Sequence, residues 1–307
     1  MRRPDVWIPE RTPAVERERL AALADLHVFP AAGLLGQTLG QGDLLVAAYG
    51  TDRGLEVARH VEGLRYIQAF SAGVDSFFER VPEGITLCDA SGVHDVPVAE
   101  WVLMVILASQ RRFPEHLMAQ REGRWGSSPL TGDDLVGARV VIVGAGSIGR
   151  EVEARLVPFG ASIMRIARRA REGVRPLSEL AASVAGADVV ISLLPLTADT
   201  RGAIGTDVIA AMRPGALLVN ASRGAIVDMA ALTEAVLEGR IRVALDVTDP
   251  EPLPAGHPLW SAPGAIVTPH VASDVRREEE RFWDLVHDQV GRLARGEPLV
   301  NVVEDGY

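Results

Sequence analysis

The sequence has 307 residues, 48% of them apolar, and a formal charge of −10 at pH 7; that is more chain than one core usually organises, so two domains are expected. The arginines are scattered among Asp and Glu, leaving no basic face for a phosphate backbone and arguing against nucleic acid as a partner. Cys88 is the single cysteine, which excludes an intrachain disulfide, and no Cys/His cluster has zinc spacing, so no metal is expected. The longest apolar run, Trp101–Ala108, falls far short of the roughly 20 residues that span a bilayer. The first residues include Asp5, Pro9, Glu10 and Arg11 rather than an apolar leader, so no signal peptide is expected and a cytoplasmic location fits.

Short β-rich runs alternate with helical patterns throughout, which predicts an α/β protein with parallel sheets covered by helices on both faces. In the first half, strands are expected at Val6–Ile8, His27–Phe29, Leu44–Ala47, Arg65–Gln68 and Thr86–Cys88. Helices such as Pro13–Asp25 and Asp52–His60 separate them, giving a flavodoxin-like unit. Val96–Ala108 then reads as a long buried helix between the halves and a candidate hinge, with Glu100 near its start. The second half has clearer strands at Arg139–Val143, Ser162–Ala167, Asp188–Leu193, Ala216–Asn220, Arg242–Leu245 and Ala265–Thr268. These six suit a Rossmann-type doubly wound nucleotide-binding sheet. Asp274–Ala294 is helical and charged, and Gly296–Tyr307 is extended, with Pro298 and Gly306. The tail is expected to return to the first domain, which makes that domain discontinuous, 1–95 with 279–307, around a second domain of 96–278.

Directly after Arg139–Val143 comes Gly144-Ala145-Gly146-Ser147-Ile148-Gly149, followed by a helical pattern through Leu156. In that context the first glycine permits the tight turn and the second lets backbone approach a pyrophosphate. The third lets helix and strand pack closely, while the helix N-terminus faces the anion. A loop that prefers NAD carries Asp or Glu about 20 residues on, where it binds the ribose 2′-hydroxyl. Here the strand ends at Ala167 and continues Arg168-Arg169, with no acid between Glu153 and Glu172. An acid would repel a 2′-phosphate, whereas guanidinium groups can clasp it. NADP(H) is therefore the expected cofactor and NAD(H) the alternative, in which the arginines are a solvated surface pair.

In an open α/β sheet, ligands bind outside the carboxyl ends of the strands. Past the later strands stand Pro195, then Ala221-Ser222-Arg223-Gly224, then Asp246 with Glu251 shortly after, then Pro269-His270. This set suits hydride chemistry on a small 2-oxo acid. A histidine can give a proton to the developing alkoxide, a part filled by His270. A carboxylate beside the imidazole orients it and favours its protonated form, which Glu251 can do. A planar guanidinium can bind the substrate carboxylate and polarise the adjacent carbonyl, which points to Arg223. His27, His60, His94, His116, His257 and His287 lack this placement and read as structural.

These segments resemble the D-isomer-specific 2-hydroxyacid dehydrogenase family over nearly the whole chain. The resembling stretches are Ile67-Gln68 with Ser71-Ala72-Gly73-Val74-Asp75, Gly92-Val93-His94 through Val98-Ala99-Glu100-Trp101, the glycine loop, and Leu194-Pro195-Leu196-Thr197. Others are Val219-Asn220-Ala221-Ser222-Arg223-Gly224, Ala244-Leu245-Asp246-Val247, Glu251-Pro252-Leu253-Pro254, Thr268-Pro269-His270 and the tail from Gly296 to Val303. The resemblance implies Arg223, Glu251 and His270 as the catalytic residues. It also implies Pro195, Ala221 and Asp246 around the cofactor, with Asp246 near the nicotinamide. Backbone amides near Ser71, Ala72 and Gly73 would hold the substrate carboxylate, in a turn whose small residues suit an anion. It further implies a first domain that binds substrate, closure of the two domains around that substrate, and a homodimer.

Departures from the family pattern are informative. Ala167 replaces the acid of NAD-preferring members, Asp249-Pro250 stiffens the loop before Glu251, and Glu251 itself argues against the formate dehydrogenase branch, where glutamine stands. Two other readings fit the same residues: a dinucleotide-sensing binding protein like the co-repressors that share this fold, and a same-fold dehydrogenase acting on a phosphonate or phosphite. Tyr49, Phe70, His94 and Trp125 are candidates to shape a pocket, but as readily core or loop residues, and the sequence does not name the substrate.

Overall fold

The computed structural model describes residues 3–33, 38–48, 51–125 and 131–304; Tyr49 and Gly306 lie outside them. The chain divides into two compact units, Met1–His94 with Val275–Tyr307, and Asp95–Asp274.

The first unit contains β1 (Asp5–Pro9), α1 (Ala14–Ala21), β2 (Asp25–Phe29), β3 (Leu39–Gln41), β4 (Leu44–Ala47), α2 (Thr51–Ala58), β5 (Val61–Glu62), β6 (Tyr66–Ala69) and β7 (Thr86–Cys88). Its main sheet runs β2-β1-β4-β6-β7, all parallel, with β3 and β5 paired separately. Counting only the main sheet, that is the 2-1-3-4-5 order of a flavodoxin-like fold. The helix expected over Pro13–Asp25 ends at Ala21, because Asp25 already pairs with Asp5 in the sheet and donates its amide to Pro4 O at 2.9 Å. Strands β3 and β5 are too short to show alternation and were not anticipated.

The last helix, Glu278–Arg295, also belongs to this unit. Glu278, Glu279 and Glu280 occupy its first turn and Arg292 and Arg295 its last, in line with the helix dipole, and Gly296 closes it at φ 73°. Phe282, Trp283, Val286 and Val290 bury its inner face against Val6, Ile8, Leu44 and Val46. The tail beyond it is bound to the same unit: the buried Gln289 side chain accepts from Val300 N (3.0 Å) and donates to Val300 O (2.8 Å) and to Gln68 Oε1 (2.9 Å). Val302 then bridges to Cys88, whose thiol is pushed up to about 12 by burial and by Asp89.

The second unit begins with α3 (Asp95–Gln110) and α4 (Phe113–Arg121) and continues through β8 (Arg139–Val143), α5 (Ser147–Leu156), β9 (Ser162–Ala167), β10 (Val174–Pro176) and α6 (Leu180–Val184). It ends with β11 (Val189–Ser192), α7 (Thr206–Ala211), β12 (Leu217–Asn220), α8 (Met229–Leu237), β13 (Arg242–Leu245) and β14 (Ala265–Val267). The parallel sheet runs β10-β9-β8-β11-β12-β13-β14. This is the doubly wound order 3-2-1-4-5-6 with one more strand at the far edge. Six strands were expected and seven are present among the described residues. The unanticipated one is β10, a three-residue edge strand ending in Pro176, where a missing N–H is tolerated.

Both faces of this sheet are buried, which is why its strands read as unbroken apolar runs. Val141, Val143, Val190 and Leu218 join one apolar cluster, and their neighbours Val140, Ile142, Val189, Leu217 and Val219 join the other. Each such side chain contributes roughly 1.5–3 kcal/mol by leaving water. Arg242 ties α3 to this sheet by donating to Ser109 O and Gln110 Oε1, both at 2.9 Å, and burial draws its pKa down. Among the described residues, no helix is long and apolar enough to cross a membrane and no group of three or more His, Cys, Asp or Glu could hold a metal.

Candidate active site

Strands β8 and β11 are neighbours whose onward connections run to opposite sides, which makes the crevice at their carboxyl ends the switch point of the sheet. The glycine loop leaves β8 at that point. Gly144 has φ 121°, and a Cβ there would lie 2.5 Å from the Leu193 carbonyl carbon. A Cβ on Gly149 would strike the Gly144 carbonyl, so that glycine lets α5 close onto the strand. Gly146 differs from both. A Cβ on it would meet no protein atom within 4 Å, so nothing within the described chain requires a glycine there. An exposed glycine with open space above it, at the N-cap of α5, fits a dinucleotide pyrophosphate.

Around this loop, Ser147 donates its hydroxyl to the buried Asp95 carboxylate at 3.1 Å, and Ile148 is half-buried. Ala167, Arg168 and Arg169 follow one another off the end of β9, Ala167 buried and both arginines exposed. Pro195 lies after β11 in a loop held by Thr200, whose hydroxyl donates to Pro195 O at 2.6 Å and accepts from Thr197 N at 2.8 Å. Ala221, after β12, donates its amide to Ser192 O at 3.3 Å. Arg171, absent from the expected set, donates from Nη2 to Ala145 O at 2.8 Å.

The structure brings His270 and Glu251 together: imidazole Nδ1 lies 2.6 Å from Glu251 Oε1, and about half of each side chain is open to solvent. His270 sits at φ 56°, a left-handed conformation that costs energy for a residue with a Cβ. Asp246, expected beside the cofactor, is what holds that conformation. It is buried, its backbone carbonyl accepts from His270 N at 2.8 Å, and its carboxylate accepts from Thr268 Oγ1 (2.6 Å), Val271 N (2.9 Å) and Ala272 N (2.8 Å). The bonds made by this carboxylate thus bracket His270 on both sides.

Arg223 follows β12 in an extended conformation and donates from Nη1 to Ser222 O at 2.8 Å. Asn220 shapes its loop by donating to Arg223 O (3.0 Å) and accepting from the Ser222 hydroxyl (2.7 Å). The next residue, Gly224, packs so tightly on Thr248 that a Cβ would run into the Thr248 carbonyl. Backbone contact at that glycine is how the Arg223 loop is set against the 248–251 segment that carries Glu251. Asp249-Pro250 and Glu251-Pro252 are both cis.

In the first unit, the Ser71 hydroxyl donates to Gly73 O at 2.8 Å and accepts from Gly73 N at 3.1 Å. The Gly73 amide is thus already bonded within its own turn. His94 proves buried and engaged: Nε2 lies 2.9 Å from Phe70 O and Nδ1 lies 2.9 Å from Glu278 Oε1. Phe70 packs edge-on to His94 and Phe282, and Trp125 is 99% exposed.

The NAD binding domain of D-isomer specific 2-hydroxyacid dehydrogenases matches residues 103–272. The D-3-phosphoglycerate dehydrogenase of Methanocaldococcus jannaschii is 32% identical over 276 residues, covering 87% of this chain and 52% of that protein. The chain thus spans about half the length of the first curated relatives it matches. Human glyoxylate reductase/hydroxypyruvate reductase is 31% identical over 321 residues, covering 96% of each chain. The crystal structure of a D-isomer specific 2-hydroxyacid dehydrogenase from Xanthobacter autotrophicus Py2, in complex with NADPH and MES, superimposes with a TM-score of 0.82 at 27% identity, covering 98% of this chain and 100% of that one. With a family match over more than half of its residues and a relative above 30% identity from end to end, the chain belongs to the D-isomer specific 2-hydroxyacid dehydrogenase family.

Proposed function

We propose that this protein is an oxidoreductase that reduces a small 2-oxo acid to its 2-hydroxy acid, with NADPH preferred over NADH. The observation that carries the reading is the 2.6 Å bond between His270 and Glu251 at the same sheet edge as the glycine loop. The unit Asp95–Asp274 takes the cofactor role, through Gly144, Gly146, Ser147, Ile148 and Gly149, with Arg168, Arg169, Pro195 and Ala221 beside it. The other unit takes the substrate-binding role, through the turn at Ser71, Ala72 and Gly73.

A bound nicotinamide supplies the hydride. His270 supplies the proton: Glu251 accepts from Nδ1–H, which leaves Nε2–H to protonate the alkoxide oxygen as it forms. Because Asp246 fixes the backbone on either side of His270, the imidazole is placed before substrate arrives and little ordering remains to be done. Arg223 binds the substrate carboxylate and draws electron density from the adjacent carbonyl. The balance is 2-oxo acid plus NADPH plus one proton, giving 2-hydroxy acid and NADP⁺.

The relatives named for glyoxylate and hydroxypyruvate support those two acids as first substrates. Small Ala167 followed by two exposed arginines supports NADPH, as does the NADPH complex of the Xanthobacter relative. Steady-state kinetics with glyoxylate, hydroxypyruvate, phenylpyruvate, branched 2-oxo acids and phosphono analogues, each with both cofactors, tests the whole reading. Oxidation of neither cofactor by any of these acids overturns the activity, and a higher kcat/KM with NADH overturns the preference. A homodimer is the assembly proposed, and a monomer mass in sedimentation equilibrium would overturn that.

A further inference from the structure

Three arginines follow Ala167 off the end of β9, and they are not held alike. Arg168 and Arg169 are exposed, with no side-chain hydrogen bond or ion pair among the described residues. Arg171 is anchored twice. Its backbone closes a four-residue reversal, Arg171 N donating to Val174 O at 3.1 Å and Val174 N to Arg171 O at 2.9 Å, with Gly173 at φ 68° making the turn. Its guanidinium donates to Ala145 O at 2.8 Å. Ala145 is the residue between the first two glycines of the loop, so this side chain reaches from the end of β9 back to the cofactor loop. Below it, Ala145, Ala167 and Val174 form a small buried cluster of their own. The strand end and the glycine loop are thus in direct apolar contact beside the Arg171 bond. The end of this strand is where an acid would otherwise bind the ribose 2′-hydroxyl.

We propose that Arg171 is a specificity-determining residue for a 2′-phosphorylated nucleotide, the tethered cation to which the untethered Arg168 and Arg169 add theirs. A guanidinium offers five N–H donors in a rigid fork, so the bond to Ala145 leaves others for a phosphate. A cation already tethered loses less side-chain entropy on binding than one that must be ordered. The same tether also pins the glycine loop, and the two parts can be separated. The inference rests on the NADPH reading above.

Isothermal titration of the full chain with adenosine 2′,5′-bisphosphate and with 5′-AMP tests it without turnover. Arg171→Ala removes both tether and charge, while Arg171→Gln keeps a donor for Ala145 O and loses only the charge. Both variants are expected to weaken the bisphosphate at least about tenfold, the size of one charge-assisted hydrogen bond. Arg171→Gln should hold 5′-AMP within about threefold of the unaltered chain. Equal weakening of both nucleotides in both variants makes Arg171 a pin for the loop and overturns the proposal, as does no weakening of either. Equal affinity of the unaltered chain for the two nucleotides defeats the NADPH preference itself. A preference that survives both substitutions leaves NADPH standing and removes Arg171 from it.

Discussion

The turn at His270 and the turn at Ser71 differ in how much of their support is remote. At His270 most of the stabilising groups come from elsewhere in the unit: Asp246, 24 positions back, bonds the backbone around it, Glu251, 19 back, bonds its imidazole, and a local bond from His270 N to Thr268 O at 3.1 Å adds to them. At Ser71 the hydroxyl bonds its own turn two residues on, and the remote contact is a single backbone bond, Ala90 N donating to Ser71 O at 3.1 Å. The turn proposed to deliver a proton is thus tied mainly to remote segments, and the turn proposed to bind an anion mainly to itself. Each substitution below should therefore separate chemistry from stability differently.

The largest effect is expected for His270→Ala. Loss of the proton donor should cost about 10² to 10⁴ in kcat, with nucleotide affinity unchanged by titration; near-normal kcat would remove His270 from the mechanism. Asp246→Ala comes next. It strands the Val271 and Ala272 amides, at about 1–3 kcal/mol for each buried donor left without a partner, and lets the imidazole drift, which should cost roughly 10² in kcat. Urea denaturation read beside kcat tests this, and stability lost without any fall in kcat would refute a positioning part for Asp246. Ser71→Ala should do less: two hydrogen bonds within one turn, about 0.5–1.5 kcal/mol each, with kcat kept and any change confined to KM. A large fall in kcat there would contradict this.

The smallest effect belongs to a residue of the same unit as His270 but outside its turn. Asp228 caps α8, accepting from Ala230 N (3.1 Å) and Ala231 N (3.0 Å), and also accepts from Thr206 Oγ1 (3.0 Å). The Ala231 amide first, then the Thr206 hydroxyl, hold its carboxyl below the ordinary aspartate range. Such a depressed carboxylate contributes stability above its unfolded pKa of about 3.9 and loses that contribution as pH falls through the lower folded value. Asp228→Ala should thus cost about 1 kcal/mol near neutrality and less once both states are protonated, when a neutral carboxyl still accepts the capping bonds but no longer as an anion, with kcat untouched. A stability difference that stays constant from pH 7 down to pH 2 would contradict this account.

Legibility followed the same division. The strands of the nucleotide-type sheet stood out because burial on both faces turns them into unbroken apolar runs, and the residues just past their ends were found by that means. Strand β10 was hidden because three residues ending in proline carry no period, and β3 and β5 for the same want of length. The link between His270 and Glu251 was inferred from strand-end placement, since two loops leaving adjacent parallel strands at one edge must come close. Arg171 was in plain view in the run Arg168-Arg169-Ala170-Arg171, yet only its bond to Ala145 distinguishes it from its neighbours.

By itself the sequence determined the α/β class, the alternation of most strands with helices and the glycine loop after the first strand of the second sheet, because these follow from local period and from the short, one-handed connections between parallel strands. Only the tertiary structure decided which partner each group has. Asp246 serves the His270 turn, the Gly73 amide is taken by Ser71, and Gly224 is required by the Thr248 carbonyl. Those outcomes depend on hydrogen-bond distances and close contacts between segments remote in the chain, and neither composition nor spacing encodes a distance.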